Sequence, residues 1–125
     1  MSEDGLVGAR YYTENPIIPL EQTIVYVNFD IQVANLLPAL RKHTILVGAE
    51  TGGANLIAAS KRAREESSLV TAMFSLIFGQ GRSDHAALVS AGVASVFFTD
   101  ANNGCYHTVN DDITAVDFPK LEQQI

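Results

Sequence analysis

The stretch VASVFFT, residues 93–99, is the clearest buried strand in the sequence. It is rich in β-branched and aromatic residues, and it follows a helical pattern that ends at Gly92, a residue type common just after helices. The same reasoning predicts strands at residues 23–29, 44–47 and 69–73, and helices at residues 5–15, 54–66, 84–91 and 114–124. Strands that alternate with helices predict an α/β sandwich with a largely parallel or mixed sheet.

Composition restricts the classes of function. The chain has 125 residues, of which 47% are hydrophobic and 18% charged, so it is predicted to form one packed domain. A net charge of −6 argues against nucleic acid as a partner, because phosphate binding requires a concentrated basic surface. No apolar run approaches the roughly 18 residues of a membrane span, and the segment MSEDGLVG has no features of a secretion signal. The cellular compartment stays open.

Three segments next to predicted strands or helices carry side chains that could bind a metal, namely Glu3, Asp30 and His107. Carboxylate and imidazole groups are the ligand types that zinc accepts. Their wide separation in sequence does not by itself indicate a site. Cys105 is the single cysteine, which excludes an internal disulfide and a Cys-rich zinc motif, so we expect it to pack within its loop.

Four short motifs occur in a fixed order along the chain: Glu3-Asp4-Gly5-Leu6-Val7-Gly8, Asn28-Phe29-Asp30, Ser83-Asp84-His85, and Tyr106-His107-Thr108 with Asp111. Together they resemble the C-terminal part of the catalytic domain of metallopeptidase family 28, the zinc aminopeptidase-like enzymes. The resemblance implies a three-layer α/β sandwich of the zinc-exopeptidase type with a central mixed sheet. It also implies that residues 1–125 form a single partial domain without the N-terminal part.

The resemblance implies a metal-dependent peptidase that hydrolyses peptides at a free N-terminus with two zinc ions. Glu3 and His107 correspond to ligands of one zinc, and Asp30 corresponds to a ligand of the other. Tyr106 matches a position whose hydroxyl can hydrogen-bond the tetrahedral intermediate.

Other matched residues are expected to support the site. Ser83, Asp84 and His85 correspond to positions that line the pocket or orient the ligands. An alternative for Asp84 and His85 is simple capping of the helix that follows, and the two roles are compatible. Asp111 is expected to hold the loop that carries His107, whereas His43 matches no motif and is expected at the surface.

The chain also departs from the family pattern. The family's general base aligns with Ser2, whose hydroxyl cannot take a proton as a carboxylate can, and a histidine and a bridging aspartate that precede Glu3 in the family have no counterpart. We therefore expect at most one zinc ion and little activity. Either the sequence begins inside a longer peptidase, or it is a short non-catalytic binding or structural module. A glutaminyl cyclase-like activity is a further alternative, against which the absence of tryptophan counts.

Overall fold

The computed structural model describes residues 5–79, 81 and 83–124. Four strands, five α-helices and four short 3₁₀ turns make up the regular structure of this part of the chain. The strands are β1 (Tyr26–Phe29), β2 (His43–Val47), β3 (Val70–Phe74) and β4 (Ser95–Thr99), and the helices are α1 (Val7–Glu14), α2 (Gly53–Glu66), α3 (Leu76–Gly79), α4 (His85–Ser90) and α5 (Phe118–Gln124).

The four strands form one mixed sheet in the order β1-β4-β2-β3. β1 pairs with β4 in parallel, and Phe29 lies opposite Phe98. β2 and β3 are also parallel to each other, but β2 runs antiparallel to β4, with Leu46 opposite Phe98. Because β1 and β4 are parallel neighbours, the loops that follow them leave the sheet at the same edge.

Helices cover both faces of the sheet, because each face is apolar. On one face Leu46 and Val96 form a buried cluster, against which Leu56 and Ile57 of α2 pack. On the opposite face α4 packs against β1 and β4, and α1 packs against α4. This arrangement confirms the predicted three-layer sandwich with a mixed central sheet.

The predicted elements are present, with some differences at their ends. The first strand begins at Tyr26 rather than at residue 23, because only residues 26–29 pair with β4. The helix expected at residues 114–124 is divided into a 3₁₀ turn at Ile113–Ala115 and α5. Val116 between them is extended, so the chain bends before α5 begins.

Gly48 ends β2, as the sequence indicated, and its backbone explains the residue type. Its φ is +87°, in the left-handed region where residues other than glycine are disfavoured. A Cβ atom at this position would lie 3.0 Å from the backbone oxygen of Ser95 in β4. The turn after β2 therefore depends on glycine for both its conformation and its close approach to the neighbouring strand.

Candidate active site

The loops after β1 and β4 meet at a cavity of about 170 Å³. Asp30, which directly follows β1, lines this cavity together with Tyr106 and Asp111 from the loop after β4. These residues are far apart in the sequence, and the parallel pairing of β1 with β4 brings their loops together. Ligand sites of α/β sheets commonly lie beyond the carboxyl ends of the strands, where this cavity is found.

The carboxylate of Asp30 is held by a short chain of two hydrogen bonds, one buried and one partly buried. Ser83 Oγ donates to Asp30 Oδ2 at 2.7 Å, and it accepts from Asn28 Nδ2, also at 2.7 Å. Ser83 and Asn28 are only 2% and 7% exposed, so water does not replace these bonds easily. Asn28 thus orients Ser83, and Ser83 orients Asp30.

Tyr106 and His107 lie together in the loop after β4. Their rings stack with centroids 3.8 Å apart, and His107 is exposed. His107 has a φ of +59°, which is uncommon for a residue with a side chain. Hydrogen bonds within the loop support this turn, among them the bond from Thr108 Oγ1 to Cys105 O at 2.7 Å. Cys105 itself is half-buried in this loop, where it was expected to pack.

The three residues Ser83, Asp84 and His85 have different surroundings. His85 is fully buried on α4, and its ring stacks on Phe97 with centroids 4.6 Å apart. Asp84 occupies the N-cap position of α4, but its side chain makes no capping hydrogen bond. Asp84 therefore stands at the expected capping position, but the expected capping hydrogen bond from its side chain is absent.

Tyr26, the first residue of β1, has a perturbed ionisation. Burial raises the pKa of Tyr26 above its ordinary value, and the negative charges of Asp84 and Asp30 raise it further. Each of these effects disfavours the phenolate. Burial is thus the main cause of the raised pKa of Tyr26, and Asp84 contributes more to it than Asp30 does.

The other residues singled out in the sequence lie in different places. Glu3 and Ser2 lie outside the described residues. Asp111 lines the cavity, and its backbone N–H donates to Thr108 O at 3.1 Å within the loop of His107. His43 begins β2 and is half-buried, so the expectation of a surface residue is met only in part.

Sequence reasoning assigned no role to Asn28, Asp100 or Lys120. Asn28 could have been noticed as an amide within an apolar strand, since buried polar groups need partners. Asp100 and Lys120 form an ion pair with 3.1 Å between Oδ2 and Nζ, and both side chains are almost fully buried. No sequence pattern indicates that these two residues meet.

The donor types at the cavity fit zinc, although the described residues alone do not complete a site. Within residues 5–79, 81 and 83–124, no three histidine, cysteine, aspartate or glutamate side chains gather closely enough to hold a metal ion. Asp30 is nevertheless fixed by Ser83 in the way that metal-binding carboxylates are usually fixed by an outer hydrogen-bond partner. The hydrogen bond from Ser83 thus fixes the direction of the Asp30 carboxylate.

A mixed sheet between two helical layers is the fold of the zinc aminopeptidases, as comparison with solved structures shows. The sequence profile described as Peptidase family M28 matches residues 2–124. The chain therefore belongs to peptidase family M28, and the resemblance inferred from the four motifs is confirmed.

The similar solved structures include two aminopeptidases. BSAP, a zinc aminopeptidase from Bacillus subtilis, superposes with a TM-score of 0.75 at 21% identity, over 96% of this chain and 30% of BSAP. LapA from Legionella pneumophila has a TM-score of 0.73 at 18% identity, over 98% of this chain and 34% of LapA. A second LapA structure gives 0.69 at 19% identity, over 98% and 35%. The chain thus spans about a third of the length of these proteins.

No curated protein matches the chain. In the described part of the chain, every helix is too short or too polar to cross a lipid bilayer.

Proposed function

We propose that this chain forms the C-terminal part of the catalytic domain of a zinc-dependent aminopeptidase-type exopeptidase. The cavity between the loops after β1 and β4 carries the proposal, because it joins Asp30 to Tyr106 and Asp111. Membership of family M28 and the fold of zinc aminopeptidases support the same reaction class. The proposed substrate is a peptide with a free N-terminus.

Zinc is the proposed cofactor, with Asp30, His107 and Glu3 as its ligands in this chain. Bound zinc would polarise the scissile carbonyl and lower the pKa of a water molecule that attacks it. We propose at most one zinc ion for the isolated chain, since the motifs supply only part of a two-metal site. Ser83 keeps the Asp30 carboxylate directed at the cavity through its 2.7 Å hydrogen bond.

The other residues at the cavity would act on the substrate. Tyr106 is proposed to donate a hydrogen bond to the scissile carbonyl oxygen as negative charge develops there. Ser2, at the general-base position, cannot accept a proton from water at neutral pH. We therefore propose that the 125-residue chain by itself has little or no peptidase activity.

Zinc content tests the ligand assignment. The purified chain is loaded with zinc, dialysed extensively without chelator and measured by elemental analysis, beside the variants His107→Ala and His43→Ala. His43 is a matched control, because it is also a histidine but begins β2 and belongs to none of the four motifs. We expect about one zinc ion in the wild type and in His43→Ala, and much less in His107→Ala, as a site with few protein ligands requires each of them.

A different zinc content, or measurable peptidase activity, would change these proposals. About two zinc ions per chain would extend the enzyme proposal to the isolated chain, because co-catalytic hydrolases use two metals. A metal-free wild type would contradict the ligand assignment and favour a non-catalytic module of the peptidase fold. Appreciable release of an aminoacyl chromophore by the purified chain would contradict the proposed inactivity.

A further inference from the structure

The segment that follows Asp30 has an unfavourable backbone conformation. Ile31 and Val33 have φ values of +55° and +58°, in the left-handed region. Both residues are β-branched, and β-branched side chains are rarely found there. Such a conformation persists only where surrounding contacts impose it, and it is concentrated at functional sites.

Asp100, the first residue after β4, holds this segment on both sides of Gln32. Its backbone N–H donates to Ile31 O at 2.9 Å, and its Oδ2 accepts from the backbone N–H of Val33 at 2.7 Å. Asp100 also begins the loop that carries Tyr106. A single residue therefore connects the loop after β1 to the loop after β4.

Lys120 of α5 completes the arrangement. Its Nζ lies 3.1 Å from Asp100 Oδ2 and donates to Asn35 Oδ1 at 3.2 Å and to Ala34 O at 3.5 Å. The side chains of Lys120 and Asp100 are 2% and 0% exposed. A buried ion pair often stabilises a protein no more than apolar side chains of the same volume do. Stability alone therefore does not explain why Asp100 and Lys120 are charged.

We propose that Asp100 and Lys120 are positioning residues, which hold the strained segment 31–35 so that Asp30 is fixed relative to the loop of Tyr106 and His107. The pair acts on the metal ligand through the backbone and touches neither metal nor substrate. This inference rests on the proposed function in so far as Asp30 binds zinc. The clamping of the segment is a separate statement, and it can be tested without metal.

The test uses the full 125-residue chain with both charges removed. Lys120→Met alone would leave Asp100 buried without its cation and is expected to unfold the chain, whereas Asp100→Asn with Lys120→Met keeps the shapes and removes the charges. Ile57→Ala is the control, because it weakens the packing of α2 against the buried cluster and does not touch the segment. Amide hydrogen exchange and zinc binding, followed by the amide NMR shifts of residues 30 and 107, are measured for each.

We expect the amides of residues 33 and 100 to exchange at least about tenfold faster in the double variant than in the control, since without the two charges the bond from Val33 N–H to residue 100 is weaker and the segment opens locally. We also expect zinc affinity to fall about tenfold or more, the effect typical of outer partners of a metal ligand, and to stay unchanged in Ile57→Ala. Both results together would support the positioning role.

Three outcomes would each contradict one part of the proposal: the clamp, the positioning role or the metal assignment. Exchange no faster than in the control overturns the clamp. Faster exchange with unchanged zinc affinity overturns the positioning role and leaves a purely structural ion pair. If Asp30→Asn binds zinc as tightly as the wild type, the metal assignment fails, and exchange at residue 33 still decides whether the pair holds the segment.

Discussion

Replacing Ser83 by alanine removes the hydroxyl that connects Asn28 to Asp30. The Asn28 amide, only 7% exposed, would lose its hydrogen-bond acceptor, and a buried unpaired donor costs about 1–3 kcal/mol. The charged carboxylate of Asp30 would lose the hydrogen bond that it accepts from Ser83, but this carboxylate is only partly buried, so water compensates in part. The two effects share one hydroxyl, and we expect a total loss of about 2–3 kcal/mol in the free energy of unfolding.

Urea unfolding measures this loss, and a zinc titration measures its consequence for the site. Ser90→Ala is the matched control, because its hydroxyl donates to Ala86 O at 2.8 Å on the exposed side of a helix and should change stability by less than about 0.5 kcal/mol. Zinc affinity should fall about tenfold or more in Ser83→Ala only. A stability loss as small as that of the control, with unchanged zinc affinity, would refute the relay from Asn28 through Ser83 to Asp30.

Three other predictions concern the turn after β2, an ion pair and a phenol. Gly48→Ala should lower the free energy of unfolding by about 1–2 kcal/mol, because alanine is disfavoured at a φ of +87° and meets a β4 carbonyl oxygen; denaturant unfolding would show no loss if the reasoning fails. Hydrogen bonding to Arg41 lowers the pKa of Asp117 from 3.8 to about 2, so its stabilisation is present above 3.8 and lost as the pH falls towards 2. The free energy of unfolding of Asp117→Asn should therefore change less than that of the wild type between pH 3.8 and about 2. An acid unfolding curve that is the same for both proteins would contradict this. Asp84→Asn should lower the pKa of Tyr26 but leave it above 10.0, because burial remains its main cause; difference absorbance titration against Tyr26→Phe detects the change, and an unchanged pKa would exclude the charge effect.

Local sequence patterns predicted most elements, because they depend on neighbouring residues. The run at residues 93–99 became β4, and the apolar segment at 44–47 became β2 with one further residue, His43. The region between residues 31 and 42 is apolar and interrupted by Pro38, so its sequence was ambiguous, and the regular structure that it forms is a 3₁₀ turn at Pro38–Leu40. Its conformation is imposed by distant partners, which periodicity does not report.

For the candidate site, the sequence indicated residues but not the contacts between them. Asp30 and Tyr106 were named from short motifs, and the structure brings them to one cavity. The bond from Ser83 to Asp30 joins residues 53 positions apart, and the bond from Asn28 to Ser83 joins residues 55 apart. Hydrogen bonds of this kind depend on how helices pack on the sheet, so no local pattern could have indicated them.

The sequence by itself determined the alternation of strands and helices, the family and the residue types available to a zinc site, because these follow from composition, periodicity and short motifs. Only the tertiary structure decided the strand order, the antiparallel pairing of β2 with β4 and the buried contact between Asp100 and Lys120. The reason is physical: local propensities act over a few residues, whereas strand order and buried ion pairs are selected by packing between segments that are distant along the chain.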